Sequence, residues 1–208
     1  MADYTSSSDV KAQLVDTLGS STDSSYDALI GTLITSASRA IDGYLGKEDD
    51  YFLPSSDGQT RYYDGTNSYY IVIDDFTSIS ALGVSENGGV ASSDYTAYSS
   101  SDYFTLPHNA AAKGKPYNAV EIDVVNSTQS AFPNYRKAVR VTGIFGYSTT
   151  VPADVSHACM VQVLRYFMRS KNAYQDAGAN PAFGQMFYVR ELDPDVKTLL
   201  HKYVMENL

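Results

Sequence analysis

The side chains best suited to chemistry are scattered along this sequence. His108 falls in a loop, His157 in a helical run and His201 in the last helical run, and none has a partner at metal-ligand or catalytic spacing. Cys159 is the single cysteine, so an intramolecular disulfide and a multi-cysteine metal site are both excluded. Its place in an apolar run suits a small buried hydrophobe. Glu48-Asp49-Asp50 and Asp74-Asp75 offer the oxygen donors a cation would need, but lack the alternating ligands and glycine of a calcium loop. They read as solvated loops, and as carboxylate pairs they define no acid and base. Gly143 and Gly146 flank Ile144 and Phe145 without the third glycine or the helix start of a dinucleotide fingerprint, so they read as strand-end turns. Asn126-Ser127-Thr128 matches a glycosylation acceptor by chance. The expectation is a protein without catalytic residues, metal or cofactor, and not an enzyme. The chain has 18 tyrosines and no tryptophan. Tyrosine suits half-buried strand positions and protein contacts; a platform stacking sugars or bases is the sharper alternative, for which basic interleaving is sparse.

The elements that position these residues follow from periodicity. Ser8 reads as the N-cap of a short helix with Asp9 in its first turn, Val10, Leu14 and Leu18 on one face and Gly19 as its end. A second helix enters through Ser24 or Ser25, carries Ile30, Leu33, Ile34, Ala37, Ile41, Tyr44 and Leu45 at steps of three and four, and stops at Gly46. These two helices cannot hide their apolar stripes alone.

From residue 51 to 150 the signals are those of strands. Thr60-Arg61-Tyr62-Tyr63 and Tyr69-Tyr70-Ile71-Val72-Ile73 flank Asp64-Gly65-Thr66-Asn67 like two strands around a turn. Ile79-Ser80-Ala81-Leu82-Gly83-Val84 leads to Asn87-Gly88, a pair suited to a primed hairpin turn. Further strands are expected over 95–98, 103–106, 119–125 and 138–143, with loops over 99–102 and 108–116.

A third helix opens at Pro152, places Val155, Cys159, Val163 and Tyr166/Phe167 on one stripe, and ends near Lys171. Residues 172–190 read as an extended loop without clear periodicity, interrupted by Phe183, Met186, Phe187, Tyr188 and Val189. Asp193 caps a last helix that begins at Pro194, with Val196, Leu199, Leu200, Tyr203 and Val204 on its apolar side. The fold class is therefore α+β: a small bundle of about four helices with an antiparallel β insertion between the second and third. Residues 1–50 and 151–208 supply the bundle, and 51–150 the insertion.

Charge narrows the partners. The formal charge is -9, and residues 1–59 hold ten acidic against three basic side chains. Such a surface repels phosphates and argues against tight sequence-specific DNA binding, while leaving a channel through which DNA merely passes. No stretch approaches the roughly 20 apolar residues of a membrane span, and the N-terminus lacks signal-peptide regions. No membrane contact and a cytosolic place of synthesis are expected.

Several of these segments together carry a resemblance. Ala37-Ser38-Arg39-Ala40-Ile41-Asp42-Gly43-Tyr44-Leu45-Gly46, then Thr60-Arg61-Tyr62-Tyr63-Asp64-Gly65, then Val141-Thr142-Gly143-Ile144-Phe145-Gly146-Tyr147 leading to Val151-Pro152-Ala153-Asp154-Val155, and Leu192-Asp193-Pro194-Asp195-Val196 follow in order along nearly the whole chain. In this order and spacing the sequence resembles the head-tail connector (adaptor) family of tailed bacteriophages. That resemblance implies a helical bundle interrupted by a β insertion, and a structural virion protein of the neck, assembled in the host cytoplasm. It implies a dodecameric ring of copies beneath the portal protein, extending the channel for genomic DNA and offering a platform to a stopper or tail-completion protein. The β region is longer than in minimal adaptors, and residues 172–190 match no motif of the family. Contact with the portal is expected from Phe183, Phe187, Tyr188, Arg190, Lys197 and Lys202, which combine apolar anchors with positive charge. The competing role for this end is completion of the bundle by Leu199, Leu200 and Tyr203. The alternative function is a β-rich tail or baseplate module contacting carbohydrate or another virion protein.

Overall fold

The computed structural model describes residues 1–20, 22–89, 91–171, 177–180, 185–188 and 192–205. They form two compact units, one built from both ends of the chain, Met1–Asp50 and Val151–Leu208, and one from Tyr51–Thr150. The fold is α+β, with the strands of the second unit inserted between helices of the first.

In the helical unit, α1 (Ser7–Gln13) and α2 (Val15–Leu18) are the expected first helix divided at Leu14. Its cap is Ser6, not Ser8: the Ser6 hydroxyl accepts the Asp9 N–H at 3.1 Å and reaches the Asp9 carboxylate at 2.6 Å. The Ser6 hydroxyl thus takes one of the free N–H groups of the first turn and is itself held by the Asp9 carboxylate, which fixes the start two residues earlier. The next helix, α3 (Asp27–Leu45), has Tyr26 at its N-cap and no side-chain cap, so neither Ser24 nor Ser25 opens it. The cost of that missing cap is offset by the stripe it buries: Ile30, Leu33, Ile34, Ala37, Ile41 and Leu45. Gly46 ends it in the left-handed conformation, as expected.

Pro152 precedes α4 (Ala153–Lys171), where its carbonyl accepts the Ser156 N–H at 2.9 Å. Val155, Cys159, Val163 and Phe167 are all buried. Residues 172–190 hold more than a loop, because β7 (Ala177–Asn180) pairs antiparallel with β8 (Gln185–Tyr188). These strands are only four residues long, too short for alternation to register, and β7 is Ala-Gly-Ala-Asn, a composition that reads as loop. Asp193 then caps α5 (Pro194–Met205), its carboxylate accepting the Asp195 N–H at 2.9 Å.

The β unit is one six-stranded antiparallel sheet, made of β1 (Gln59–Tyr63), β2 (Tyr70–Val84), β3 (Thr96–Tyr98), β4 (Tyr103–Leu106), β5 (Tyr117–Ile122) and β6 (Val139–Phe145). Its order is β1-β6-β2-β5-β4, with β3 added beside β2. The segments at 60–63 and 69–73 are thus not a hairpin: β6 lies between them. Residues 64–67 bond instead to the stretch before β6, with Gly65 N–H to Tyr135 O at 3.0 Å, Asn67 N–H to Phe132 O at 2.9 Å and Lys137 N–H to the Asp64 carboxylate at 2.7 Å. The two segments at 69–73 and 79–84 are one 15-residue strand. Its core-facing residues change parity along the strand, odd at Ile71 and Ile73, even at Phe76, odd at Ile79 and even at Leu82 and Val84, with register shifts between Val72 and Phe76, Phe76 and Ser78, and Ile79 and Ala81. Those changes of parity are why the sequence looks like two strands.

Nor does Asn87-Gly88 make a two-residue hairpin, since β2 and β3 pair through Val84↔Thr96 and leave residues 85–95 as a longer connection. Within 108–116, residues Ala111–Lys113 form a turn of 3-10 helix. Gly143 lies inside β6, where a side chain would meet Ser78 O at 2.3 Å, so it permits strand approach instead of a turn; Gly146 follows the strand at φ 144°. Phe76, Phe132, Phe145 and the valines of β6 fill the core. Each fully buried large side chain there stabilises the unit by about 1.5–3 kcal/mol.

Candidate functional site

Of the six residues expected to contact a partner, Phe183 and Arg190 lie outside the described residues. Phe187 and Tyr188 stand on β8, opposite Gly178 and Ala177. Lys197 and Lys202 stand on α5, about 140° apart around its axis. The Lys197 ammonium lies 5.9 Å from the ring centre of Tyr44 on α3. Lys202 pairs with Asp154 on α4 at 2.5 Å, and Asp154 also accepts the Tyr203 hydroxyl at 2.8 Å. Burial pushes Asp154 upward, but Lys202 and Tyr203 outweigh it and hold the carboxyl below its ordinary range. The two lysines are thus drawn toward neighbouring helices and not gathered into one cationic patch. On the same helix Val196, Leu200 and Tyr203 are buried at 0–3% exposure, so α5 completes the core of its unit.

Sequence reasoning missed a buried polar network on α3. Ser38 and Asp42 fall among the apolar positions of the helix and are fully buried. The Tyr4 hydroxyl donates to Asp42 at 2.6 Å, and the Tyr4 N–H donates to the Ser38 hydroxyl at 3.0 Å. Arg39 pairs with Asp42 at 3.1 Å and with Asp50, and donates to the Ala2 carbonyl at 3.0 Å. Asp50 accepts the Ala2 N–H at 2.8 Å, while its own N–H donates to Asp42 at 3.2 Å. Burial raises Asp42 to about 6, against the lowering pull of Tyr4 and Arg39. This network fastens the N-terminal arm to α3. The visible signal was two polar residues, four apart, inside an apolar stripe; its partner Tyr4 lies 34 and 38 residues away and gave none.

The acid pairs are engaged by protein donors. Asp74 accepts Arg61 and the Tyr63 hydroxyl, each at 2.8 Å, and Asp75 accepts the Tyr51 hydroxyl. Among the described residues no group of three or more His, Cys, Asp or Glu converges as a metal site, and no helix is long and apolar enough to cross a membrane. Cys159 is fully buried, and loss of solvation raises its thiol to about 11, which leaves it a protonated core side chain.

Tyrosines do gather on the β unit, though not as an open stacking platform. The Arg140 guanidinium lies 4.6 Å from the ring centre of Tyr95, whose hydroxyl donates to the Lys137 carbonyl at 2.8 Å. Tyr62 stands 6.0 Å from Tyr95 and 5.9 Å from the Lys137 ammonium. The face of Tyr95 is therefore already covered by a cation.

No protein-family model matches the sequence, and no curated protein matches it. Solved structures do. A chain in the neck of an empty gene transfer agent (GTA) particle, computed with C6 symmetry, superposes with TM-score 0.50 at 18% identity, over 93% of this chain and 87% of that one. A chain of the virion of a native GTA particle matches with TM-score 0.48 at 19% identity over 93% and 87%. A chain of a native GTA neck computed with C12 symmetry matches with TM-score 0.48 at 16% identity over 97% and 93%. The first of these likenesses shows a shared fold along nearly the whole chain.

Proposed function

We propose that this protein is a structural neck component of a tailed, phage-like particle: a head-tail connector that forms a ring beneath the portal, extends the DNA channel and carries the next neck or tail-completion protein. The observation that carries this reading is the whole-chain fold likeness to a GTA neck chain, helical bundle and β insertion together. The order of sequence motifs supports it independently, since those motifs lie in both units. The neck of that particle was computed with sixfold symmetry, with which a twelve-copy ring is compatible. The excess of acid in residues 1–59 suits a wall along which DNA slides without being held.

For the portal contact, the hairpin of β7 and β8 with Phe187 and Tyr188 is the favoured element, with Phe183, Arg190, Lys197 and Lys202 beside it in sequence. Truncation after Arg190 is a poor test, because losing three buried side chains of α5 unfolds the unit. Exchange of Phe187 and Tyr188 for serine leaves the α5 core in place, and loss of portal binding by a folded variant is the expected outcome. The reading as a whole is tested by electron microscopy of the protein mixed with its portal. Capping rings of twelvefold symmetry support it; no association at micromolar concentrations sinks it.

A further inference from the structure

The surface around Tyr95 is built more carefully than a solvated strand face needs to be. Tyr62 on β1, Arg140 on β6 and Gly83 on β2 are register partners and so share one face of the sheet. Tyr95 lies in a space opened by two glycines: a Cβ on Gly89 would fall 1.8 Å from its hydroxyl oxygen, and one on Gly83 would fall 3.1 Å from its Cβ. The ring, its hydroxyl bond to the Lys137 carbonyl and the guanidinium stacked on it are thereby held before any partner arrives. Beside them Arg136 and Lys137 are exposed, and among the described residues neither has an ion-pair partner. Two carboxylates stand at the edge of this surface: Asp64 accepts the backbone N–H of Lys137 at 2.7 Å, and Asp94, next to Tyr95, accepts the Ala91 N–H at 2.7 Å. Tyr62 and Tyr135 are each about half exposed, at 49% and 51%, and supply apolar surface next to the cations. Arg136 and Lys137 thus form a small positive island on a chain of net charge -9.

We propose that this island binds a carboxylate-rich, acidic segment of a partner protein. A cation patch flanked by rings recognises carboxylates through charge-assisted hydrogen bonds while the rings cover the aliphatic stems. Nucleic acid fits it less well for two reasons. Single-stranded bases need successive open aromatic faces, and here Arg140 lies over Tyr95 and Lys137 over Tyr62, which leaves Tyr135 without an open neighbour to continue a stack. A duplex carries phosphates over tens of ångströms, far more than two cations can engage, whereas a short acidic segment interacts within about one Debye length, ~8 Å at physiological salt. The site lies wholly in the β unit and does not depend on the neck reading.

The test uses the full-length protein and a fluorescent oligo-glutamate peptide, followed by anisotropy at low and physiological salt. The wild type is expected to bind, and R136Q/K137Q to lose about tenfold or more in affinity, with R136E/K137E losing more. Gly89→Ala, which displaces Tyr95 without changing charge, is expected to weaken binding as well. K113Q/K115Q makes the same charge change elsewhere in the β unit and is expected to leave binding unchanged; an equal loss there reduces the effect to net charge and overturns the site. Absence of wild-type binding overturns it too, as does tighter binding of a DNA duplex than of the peptide at equal salt.

Discussion

Tyrosine and arginine meet in both units, with opposite consequences. In the helical unit Arg39 pairs with Asp42 and Asp50 while Tyr4 donates to Asp42, and the cation is compensated inside the protein. In the β unit Arg140 stacks on Tyr95, and Arg136 and Lys137 stand exposed without ion-pair partners among the described residues. The difference is burial: Asp42 is fully buried, whereas Arg136 and Lys137 are exposed. A buried charge without a partner costs several kcal/mol, so each charge of the α3 network has a counter-charge beside it, although the Arg39 Nε itself is buried without a hydrogen-bond partner among the described residues. An exposed cation costs little when unpaired, so the Tyr95 surface keeps its charge for an outside partner. The first cluster should therefore govern stability and the second binding.

The largest expected effect comes from breaking the buried network. Asp42→Ala leaves the Tyr4 hydroxyl and the Asp50 N–H without their acceptor and takes one of two carboxylates from Arg39, and should cost about 3 kcal/mol in urea denaturation of the intact chain. A cost under about 1 kcal/mol would mean that the two clusters do not differ in kind.

pH sharpens the comparison next. Asp42 titrates near 6 in the folded chain against an ordinary 3.8, so between about pH 4 and 6 the folded state holds more protons than the unfolded one. Its contribution is full below about pH 4 and is lost as pH rises through about 6, by no more than about 3 kcal/mol. Asp50 and Asp154 act in the other direction: burial pushes both upward but is outweighed, for Asp50 by Arg39 and the Ala2 N–H and for Asp154 by Lys202 and Tyr203. Both are held below the ordinary range, and their stabilisation is lost as pH falls through it. Asp42→Asn should remove the decline between pH 4 and 6 and leave the acid limb; an unchanged decline would assign it elsewhere.

Tyr4→Phe removes one hydrogen bond to a charged group and should cost about 2 kcal/mol, with faster amide exchange at Ala2 and Tyr4. On the other side of the comparison, Gly89→Ala should cost about 1 kcal/mol by displacing Tyr95 from Arg140, visible in the near-ultraviolet tyrosine signal. Smallest of all, R136Q/K137Q should shift stability by less than about 0.5 kcal/mol while lowering affinity for oligo-glutamate. A variant that unfolds here would turn the binding surface into a structural one.

Much of the fold class was legible because its signals are local. Apolar residues at steps of three and four located α3, α4 and α5, and Gly46 and Asp193 marked ends that the backbone confirms. The caps of α1 and α3 were misplaced because Ser8, Ser24 and Ser25 are cap-competent residues in a stretch holding many of them. Strand pairing was misread: Thr60–Tyr63 and Tyr69–Ile73 are neighbours in sequence, yet Gln59–Tyr63 pairs with Val139–Phe145. Of the binding surface, only the abundance of tyrosine was visible. That Arg140 covers Tyr95 depends on β2, which pairs Gly83 with Arg140 on one side and Val84 with Thr96, the residue after Tyr95, on the other.

By itself the sequence determined the α+β composition, the apolar stripes of the helices, the absence of a disulfide and the acidity of the N-terminal third, all of which follow from residue type and near-neighbour spacing. Only the tertiary structure decided strand order, the parity changes within Tyr70–Val84, the burial of Asp42 beneath Tyr4 and the exposure of Arg136 and Lys137. Each of these depends on contacts across long sequence separations. There, whether a charge is compensated is set by what folding brings beside it, and residue type alone does not encode that.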